Sequence, residues 1–426
     1  MKPTLAALAC VAVFGLLGAH AQRRCASALV APDVVIFIAD DVADSDIDYL
    51  VPTAANEYRD LPNIHALAGQ GLRLRAFYSH AWCAPTRDSL MFSKWLGRDH
   101  GIWSCRNVIP ESLDFSAHNM ARMFDDAGYH TAHFGKWHHG VPSDGSGWAT
   151  ATQAMGFDTG RTMIATIPPC GDPQPAGERA TTDGVVTAST ADMDLRIRDS
   201  FLVWWANTPS PRFAMVSFQG AHYPLKFPSF PLLPIDYPTI PATDRAKFEA
   251  ELIGVDTALG AMLAVMDAGD YRIFMGDNGT APGTVRPDQD PNKVKSTCYQ
   301  DGVRVPFVVA GPGIPSGIES ADLASVVDLL PTFREMLGLS GPPVDGISLF
   351  STKRDIVFCY GPEPVGSTVP LLVSAVIGVR WKLLQDDFGA ELLFDLQSDP
   401  AEMNPLAPVG PIAAHLRARR VSILGR

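Results

Sequence analysis

The chain has 426 residues, 46% of them hydrophobic and 19% charged, which is long enough and apolar enough to bury a large core. Its net charge of −12 carries no electrostatic footprint for nucleic acid or for an anionic membrane. That acidity leaves the charge of a small substrate open, because one local basic pocket outweighs the global field.

Lys2, the apolar run 5–18 and Ala19-His20-Ala21 predict a secretory signal peptide over residues 1–21. The run is short for a membrane anchor, and no later segment is apolar over the length a bilayer requires. Export places Cys25, Cys105, Cys170, Cys298 and Cys359, together with Cys83, where disulfides form. With Cys83 set apart, those five cannot all pair, and their pairing is not readable from spacing.

Residues 33–39 carry, after Asp33, an unbroken apolar run between Pro32 and Asp40, as a strand buried on both faces requires. Pro62 opens a helical pattern through Leu67 and Ala68 that ends near Gly71. A second amphipathic stretch, 119–127, stops at Gly128 and leads into a strand at 131–134. Further strands are expected at 213–218, 272–275 and 306–310, and 248–266 carries helical spacing. This alternation predicts an α/β fold with a large mixed, mostly parallel sheet sandwiched by helices. After Gly341 the pattern changes to short extended runs at 356–360, 375–379 and 381–384. We read these as a smaller C-terminal subdomain with an antiparallel sheet, so that 22–340 forms the main α/β domain and 341–426 the subdomain. The Pro/Gly-rich stretches 168–177 and 281–291 read as surface loops.

Two carboxylate-bearing pairs follow strands. Asp40-Asp41 closes the first strand, and Asp277-Asn278 follows the strand at 272–275. The carboxyl edge of an α/β sheet is where such folds bind ligands, and side-chain oxygens from two strand ends can converge on a hard cation such as Ca²⁺ or Mg²⁺. Each pair taken alone also suits a turn or a helix cap. Lys136 and His138, two residues apart, would face one side of an extended segment; the lysine suits an anionic oxygen and the histidine proton transfer.

Cys83-Ala84-Pro85-Thr86-Arg87 resembles the signature of the type I sulfatases of the alkaline phosphatase superfamily, whose cysteine is converted to formylglycine. Further blocks are similar in the same order: Asp40-Asp41, Pro62-Asn63-Ile64 with Leu67-Ala68, Gly135-Lys136-Trp137-His138, Asp277-Asn278-Gly279 and Lys295-Ser296-Thr297 with Tyr299, Gly302, Arg304 and Pro306. Phe394-Asp395-Leu396 with Asp399-Pro400 completes a collinear likeness over nearly the whole mature chain.

The resemblance implies a sulfuric ester hydrolase whose nucleophile is a gem-diol derived from Cys83, made by a formylglycine-generating enzyme. It implies a Ca²⁺ (less readily Mg²⁺) held by Asp40, Asp41, Cys83, Asp277 and Asn278. Arg87, Lys136, His138, His222 and Lys295 complete the expected catalytic set, with Lys136, His222 and Lys295 contacting sulfate. The expected partner is a sulfated small molecule or glycan, in a secreted, extracytoplasmic or lysosomal setting. The rival expectations are a phosphonate monoester or phosphodiester hydrolase of the same superfamily, and an inactive secreted glycan-binding relative. Thr86 stands where serine is commoner, Phe92-Ser93 stands where the family usually shows Thr-Gly, and 149–182 aligns with no family sulfate contact. Asn278-Gly279-Thr280 is a glycosylation sequon by pattern, yet a metal ligand at a buried strand end is not accessible to a glycan, so it is expected to stay empty.

Overall fold

Strand β1, Val34–Ala39, is fully buried because both of its faces are covered. Val35, Phe37 and Ala39 enter one hydrophobic core, and Val34, Ile36 and Ile38 enter the other. A strand with helices on both sides has no face left for polar residues, which explains its uninterrupted apolar run. The computed structural model describes residues 31–51, 58–95, 114–139, 151–164, 179–182, 185–188, 192–234, 236–238, 241–351, 353–361, 372–386 and 388–425. The expected signal peptide, Cys25, Cys105, Cys170 and the loop 168–177 lie outside the described residues.

The other strands of the large sheet are β2 (Leu72–Tyr78), β3 (His130–Lys136), β4 (Thr159–Ile164), β5 (Arg179–Thr182), β6 (Val185–Ala188), β7 (Arg212–Ser217), β8 (Tyr271–Gly276), β9 (Phe307–Ala310) and β10 (Ile318–Ser325). Their order is β10-β2-β9-β8-β1-β7-β3-β4-β5-β6. The block β8-β1-β7-β3-β4 is parallel throughout, so these five strands end at one edge. Strand β9 runs against both β2 and β8, which returns β2 to the common direction. A second sheet, β11 (Ile356–Tyr360), β12 (Leu372–Gly378), β13 (Trp381–Asp386) and β14 (Glu391–Asp395), is antiparallel throughout. No helix among the described residues is long and apolar enough to cross a membrane.

Several elements differ from expectation. Strand β2 was not foreseen because Arg73 and Arg75 break its apolar pattern; the buried Arg73 is neutralised by Asp44 at 2.8 Å. The edge strand β10, Ile-Glu-Ser-Ala-Asp-Leu-Ala-Ser, is polar for a different reason: it lies at the sheet edge with several residues open to solvent. The strand at 306–310 is present but antiparallel to its neighbours. The stretch 281–291 is not simply a surface loop: Arg286 and Gln289 are buried in it, and Arg286 Nη1 meets Asp46 Oδ1 at 3.0 Å. The C-terminal region also contains a helix, Gly410–Leu424, whose Ala413 and Leu416 pack against the second sheet.

Buried charge links the second sheet, through Glu402, to the short helix Gln300–Val303. Lys382 Nζ on β13 lies 2.8 Å from Glu402 Oε1, and Glu402 Oε2 accepts the Gln300 amide at 2.6 Å. Both side chains are buried, so losing one strands the other charge. Lys382→Met is expected to destabilise the fold by about 3–5 kcal/mol. A urea midpoint unchanged from the parent would contradict this.

Candidate active site

Every candidate residue stands at or beside the carboxyl edge of the parallel block. In register, Ala39 of β1 lies beside Gly276 of β8, so Asp40 and Asp277 emerge side by side. Neighbouring residues of a strand normally point to opposite faces. Asp41 escapes that rule because its φ of 61° turns the chain at the strand end, a conformation that aspartate tolerates better than most residues. The Asp41 amide then donates to Asp277 Oδ1 at 3.2 Å.

Cys83 is the first residue of the helix Cys83–Phe92, and the preceding Trp82 supplies no side-chain cap. The helix therefore offers its N-terminal N–H groups and dipole beside the cysteine, an arrangement suited to an anion. Thr86 Oγ1 accepts the His80 amide at 3.0 Å, which holds the turn before the helix. At the other end, Ser93 adopts φ 52°, the left-handed conformation glycine would take most easily, and its hydroxyl donates to Val327 O at 2.5 Å. One turn in from Cys83, Arg87 donates from Nε and Nη2 to Asp277 Oδ2 (3.0 and 2.8 Å) and from Nη1 to Lys136 O at 3.0 Å. It thus ties the helix to β8 and β3.

Two ammonium groups flank the sulfur. Lys136 Nζ, from the last residue of β3, lies 3.5 Å from Cys83 Sγ and ion-pairs with Asp40. Lys295 Nζ lies 3.6 Å from the sulfur on another side and ion-pairs with Asp41. The Lys295 loop is held by the Ser296 amide donating to Ala81 O at 3.1 Å, and the ammonium sits 5.4 Å from the Trp82 ring centroid. His138 does not continue an extended segment from Lys136, since its φ is 53°. It is half-buried, and burial followed by the Lys136 and Arg87 charges holds its imidazole well below the usual histidine range. His139 turns away, with Nδ1 2.7 Å from Asp88 Oδ1.

His222 Nδ1 lies 2.6 Å from the Tyr223 carbonyl oxygen, which can only accept, so Nδ1 carries the hydrogen. That fixes Nε2 as the free nitrogen, 3.9 Å from Asp41 Oδ2. Burial and then Lys136 lower its pKa, which favours the neutral ring. For Asp40 and Asp41 burial alone would raise the pKa, but Lys136 and Lys295 respectively bring each below the usual carboxylate value. Burial and Asp277 push the Cys83 thiol up to about 12.

The donor set fits a hard cation. Asp40, Asp41, Cys83 and His222 offer ligand atoms within 4.8 Å of one another. Asn278 Nδ2 donates to Asp41 Oδ1 (2.7 Å) and Gly279 O (3.1 Å), which leaves its buried Oδ1 without a partner. An orphaned buried carbonyl oxygen beside two carboxylates is what an oxygen-coordinated cation would satisfy. Asp277 is not in the tightest group, its oxygens being engaged by Arg87 and the Asp41 amide. Three carboxylates (Asp40, Asp41, Asp277) balance three cations (Arg87, Lys136, Lys295), so a dication would leave the site positive, as an anionic substrate requires. Asn278 and Thr280 are fully buried. Intact mass with and without deglycosidase is therefore expected to show no glycan at Asn278, and a glycosylated 278 peptide would overturn that.

Sequence reasoning passed over two contributors. The Tyr223 carbonyl sets the His222 tautomer, and main-chain groups leave no compositional signal. The Trp82 ring beside Lys295 could have been suspected from its place next to Cys83.

With this geometry in view, the comparisons with known proteins are specific. The profile of the family described as Sulfatase matches residues 32–339. The chain belongs to the sulfatase family and is a hydrolase of that family. It is 24% identical to the arylsulfatase of Klebsiella aerogenes over 428 aligned positions, covering 76% of this chain and 89% of that one. Among solved structures it is similar to Ps i-CgsB in complex with k-i-k-neocarrahexaose, with a TM-score of 0.75, 18% identity, and 92% and 93% of the two chains covered. It is also similar to the phosphonate monoester hydrolase of Agrobacterium radiobacter, with a TM-score of 0.67, 19% identity, and 92% and 95% covered.

Proposed function

We propose that this protein hydrolyses the sulfate ester of a small molecule or glycan after Cys83 has been converted to formylglycine by a formylglycine-generating enzyme. The observation that carries the reading is the seat of Cys83 at a helix N-terminus, with Lys136 and Lys295 Nζ 3.5 and 3.6 Å from its sulfur. The hydrated aldehyde supplies an oxygen that displaces the alcohol from sulfur and a second hydroxyl that later releases sulfate. Lys136 and Lys295 hold the sulfuryl oxygens and stabilise the charge that develops on them. His222, after taking up a proton on Nε2 as the imidazolium, delivers it to the departing oxygen, with Lys295 beside it, and His138 accepts the proton of the second hydroxyl. Arg87 keeps the helix start, Asp277 and the end of β3 in one arrangement.

Asp40, Asp41, Asp277 and Asn278, with the residue at 83, would hold a divalent cation, Ca²⁺ before Mg²⁺. Such a cation neutralises sulfate oxygens and orients the ester. Secretion through residues 1–21, and a division into a catalytic domain 22–340 and a subdomain 341–426, belong to the same reading. The likeness to a phosphonate monoester hydrolase favours one rival, since sulfate and phosphonate esters share a tetrahedral anionic centre. A panel of aryl sulfates and phenylphosphonate monoesters decides between them. Faster turnover of the sulfates is expected; a kcat/KM that favours the phosphonates would replace sulfatase with the rival.

A further inference from the structure

The chain that carries His222 hangs from two buried carboxyl groups that belong to neither the metal-ligand set nor the sulfate-binding set. Asp194 lies in the first turn of the helix Met193–Asn207. Its Oδ1 accepts the Gln219 amide at 2.8 Å and its Oδ2 accepts the Gly220 amide at 2.9 Å. Glu251, on the helix Asp244–Leu263, accepts the Lys226 amide with Oε1 at 2.8 Å. Residues 219–226 are thus held at both ends by side chains of two packed helices, with His222 between them.

The fit beneath the segment is close. A Cβ added at Gly220 would lie 2.7 Å from Asp194 Oδ2, 3.1 Å from Val255 Cγ2 and 3.3 Å from Glu251 Cβ, so the main chain rests directly on these groups. Glu251 Oε2 is buried with no hydrogen-bond partner among the described residues. The charged neighbours are Asp192, whose Oδ2 accepts the Ser229 amide, and Lys226. Burial pushes Asp194 up to about 6 and Glu251 up to about 9. The two amides and the helix start favour the ionised form of Asp194. The same burial favours the neutral acid form of Glu251, whose Oε1 accepts the Lys226 amide.

We propose that Asp194, supported by Glu251, is a positioning residue that sets where His222 Nε2 meets the leaving oxygen. Neither carboxyl touches substrate; each acts through main-chain N–H groups on either side of the histidine. The proposal rests on the reading of His222 as the proton donor to the leaving group. A displacement of the ring by about 1 Å should cost up to ~10²-fold in the step it assists. The cost should grow as the departing alcohol becomes less acidic, because only a poor leaving group needs the proton.

The test uses the full chain, matched for formylglycine content, on aryl sulfates spanning activated to poor leaving groups. Asp194→Asn puts an amide NH₂ against one of the two N–H donors. It is expected to lower kcat for the poorest leaving group at least about tenfold more than for the most activated one, with KM little changed. Glu251→Ala should move in the same direction, and Glu251→Gln, which keeps the acceptor, should restore the parent profile. Gly220→Ala disturbs the same contact from the other side and serves if Asp194→Asn fails to fold. His222→Ala is the reference. If His222→Ala loses all substrates equally, the proton-donor reading fails. If His222→Ala is selective while Asp194→Asn and Gly220→Ala lose activity uniformly or not at all, the positioning role fails.

Discussion

Cys83→Ala is expected to reduce sulfate ester turnover by ~10³-fold or more, the scale seen when a nucleophile that works as part of a unit is removed. The substitution takes away one side-chain atom, while Asp40, Asp41, Arg87, Lys136 and Lys295 keep the contacts they make with one another. The variant should therefore fold, still bind inorganic sulfate, and fail in chemistry. The companion measurement is the mass of the tryptic peptide running from Ala76 to Arg87 in protein made with its maturation enzyme. An aldehyde at position 83, together with loss of activity in the variant, supports the covalent route. Activity retained in Cys83→Ala would remove that route altogether. Intact cysteine in a protein that binds sulfated glycan without turnover would favour the inactive binding relative.

Removal of the proposed cation has the second large expected effect. Exhaustive chelation should lower activity by at least ~10²-fold and lower the melting temperature, because Asn278 Oδ1 and the Asp40 and Asp41 carboxylates lose their shared partner. Calcium should restore both properties, and magnesium less completely. Asn278→Ala deletes the orphaned oxygen and should weaken calcium binding by about 10–100-fold while the fold persists. Full activity and an unchanged melting temperature after chelation would show that lysine and arginine alone carry the charge of the site.

How much could be read from sequence depended on which interactions set each element. The doubly buried β1 was legible because Val34 to Ala39 obey one rule, apolar everywhere. Strands β2 and β10 were not: Arg73 in β2 is reconciled by Asp44, far away in sequence, and Ser320 in β10 by Asp322 at an exposed sheet edge. The helix Met193–Asn207, capped by Asp192, is obscured in the sequence by the unbroken apolar run Phe201–Trp205, which shows no helical periodicity. At the site, residue types in order identified the candidates, and strand-end positions explained why Asp40 and Asp277 meet. The turn at Asp41, the tautomer of His222 and the suspension of its segment from Asp194 and Glu251 depend on main-chain geometry, which no residue pattern encodes.

If Cys83 is converted as proposed, its burial sets that conversion against folding. Only 1% of the residue is exposed once the helix Cys83–Phe92 has docked, and its thiol is enclosed by Lys136, Lys295 and Asp40. An enzyme that must reach this side chain finds it closed off in the folded chain. On that reading the fraction of active molecules would depend on how long the nascent segment stays open relative to the rate at which β1, β3 and β8 close around it. Slower folding, or more abundant modifying enzyme during synthesis, would raise specific activity; supplying that enzyme to the finished protein would leave it unchanged.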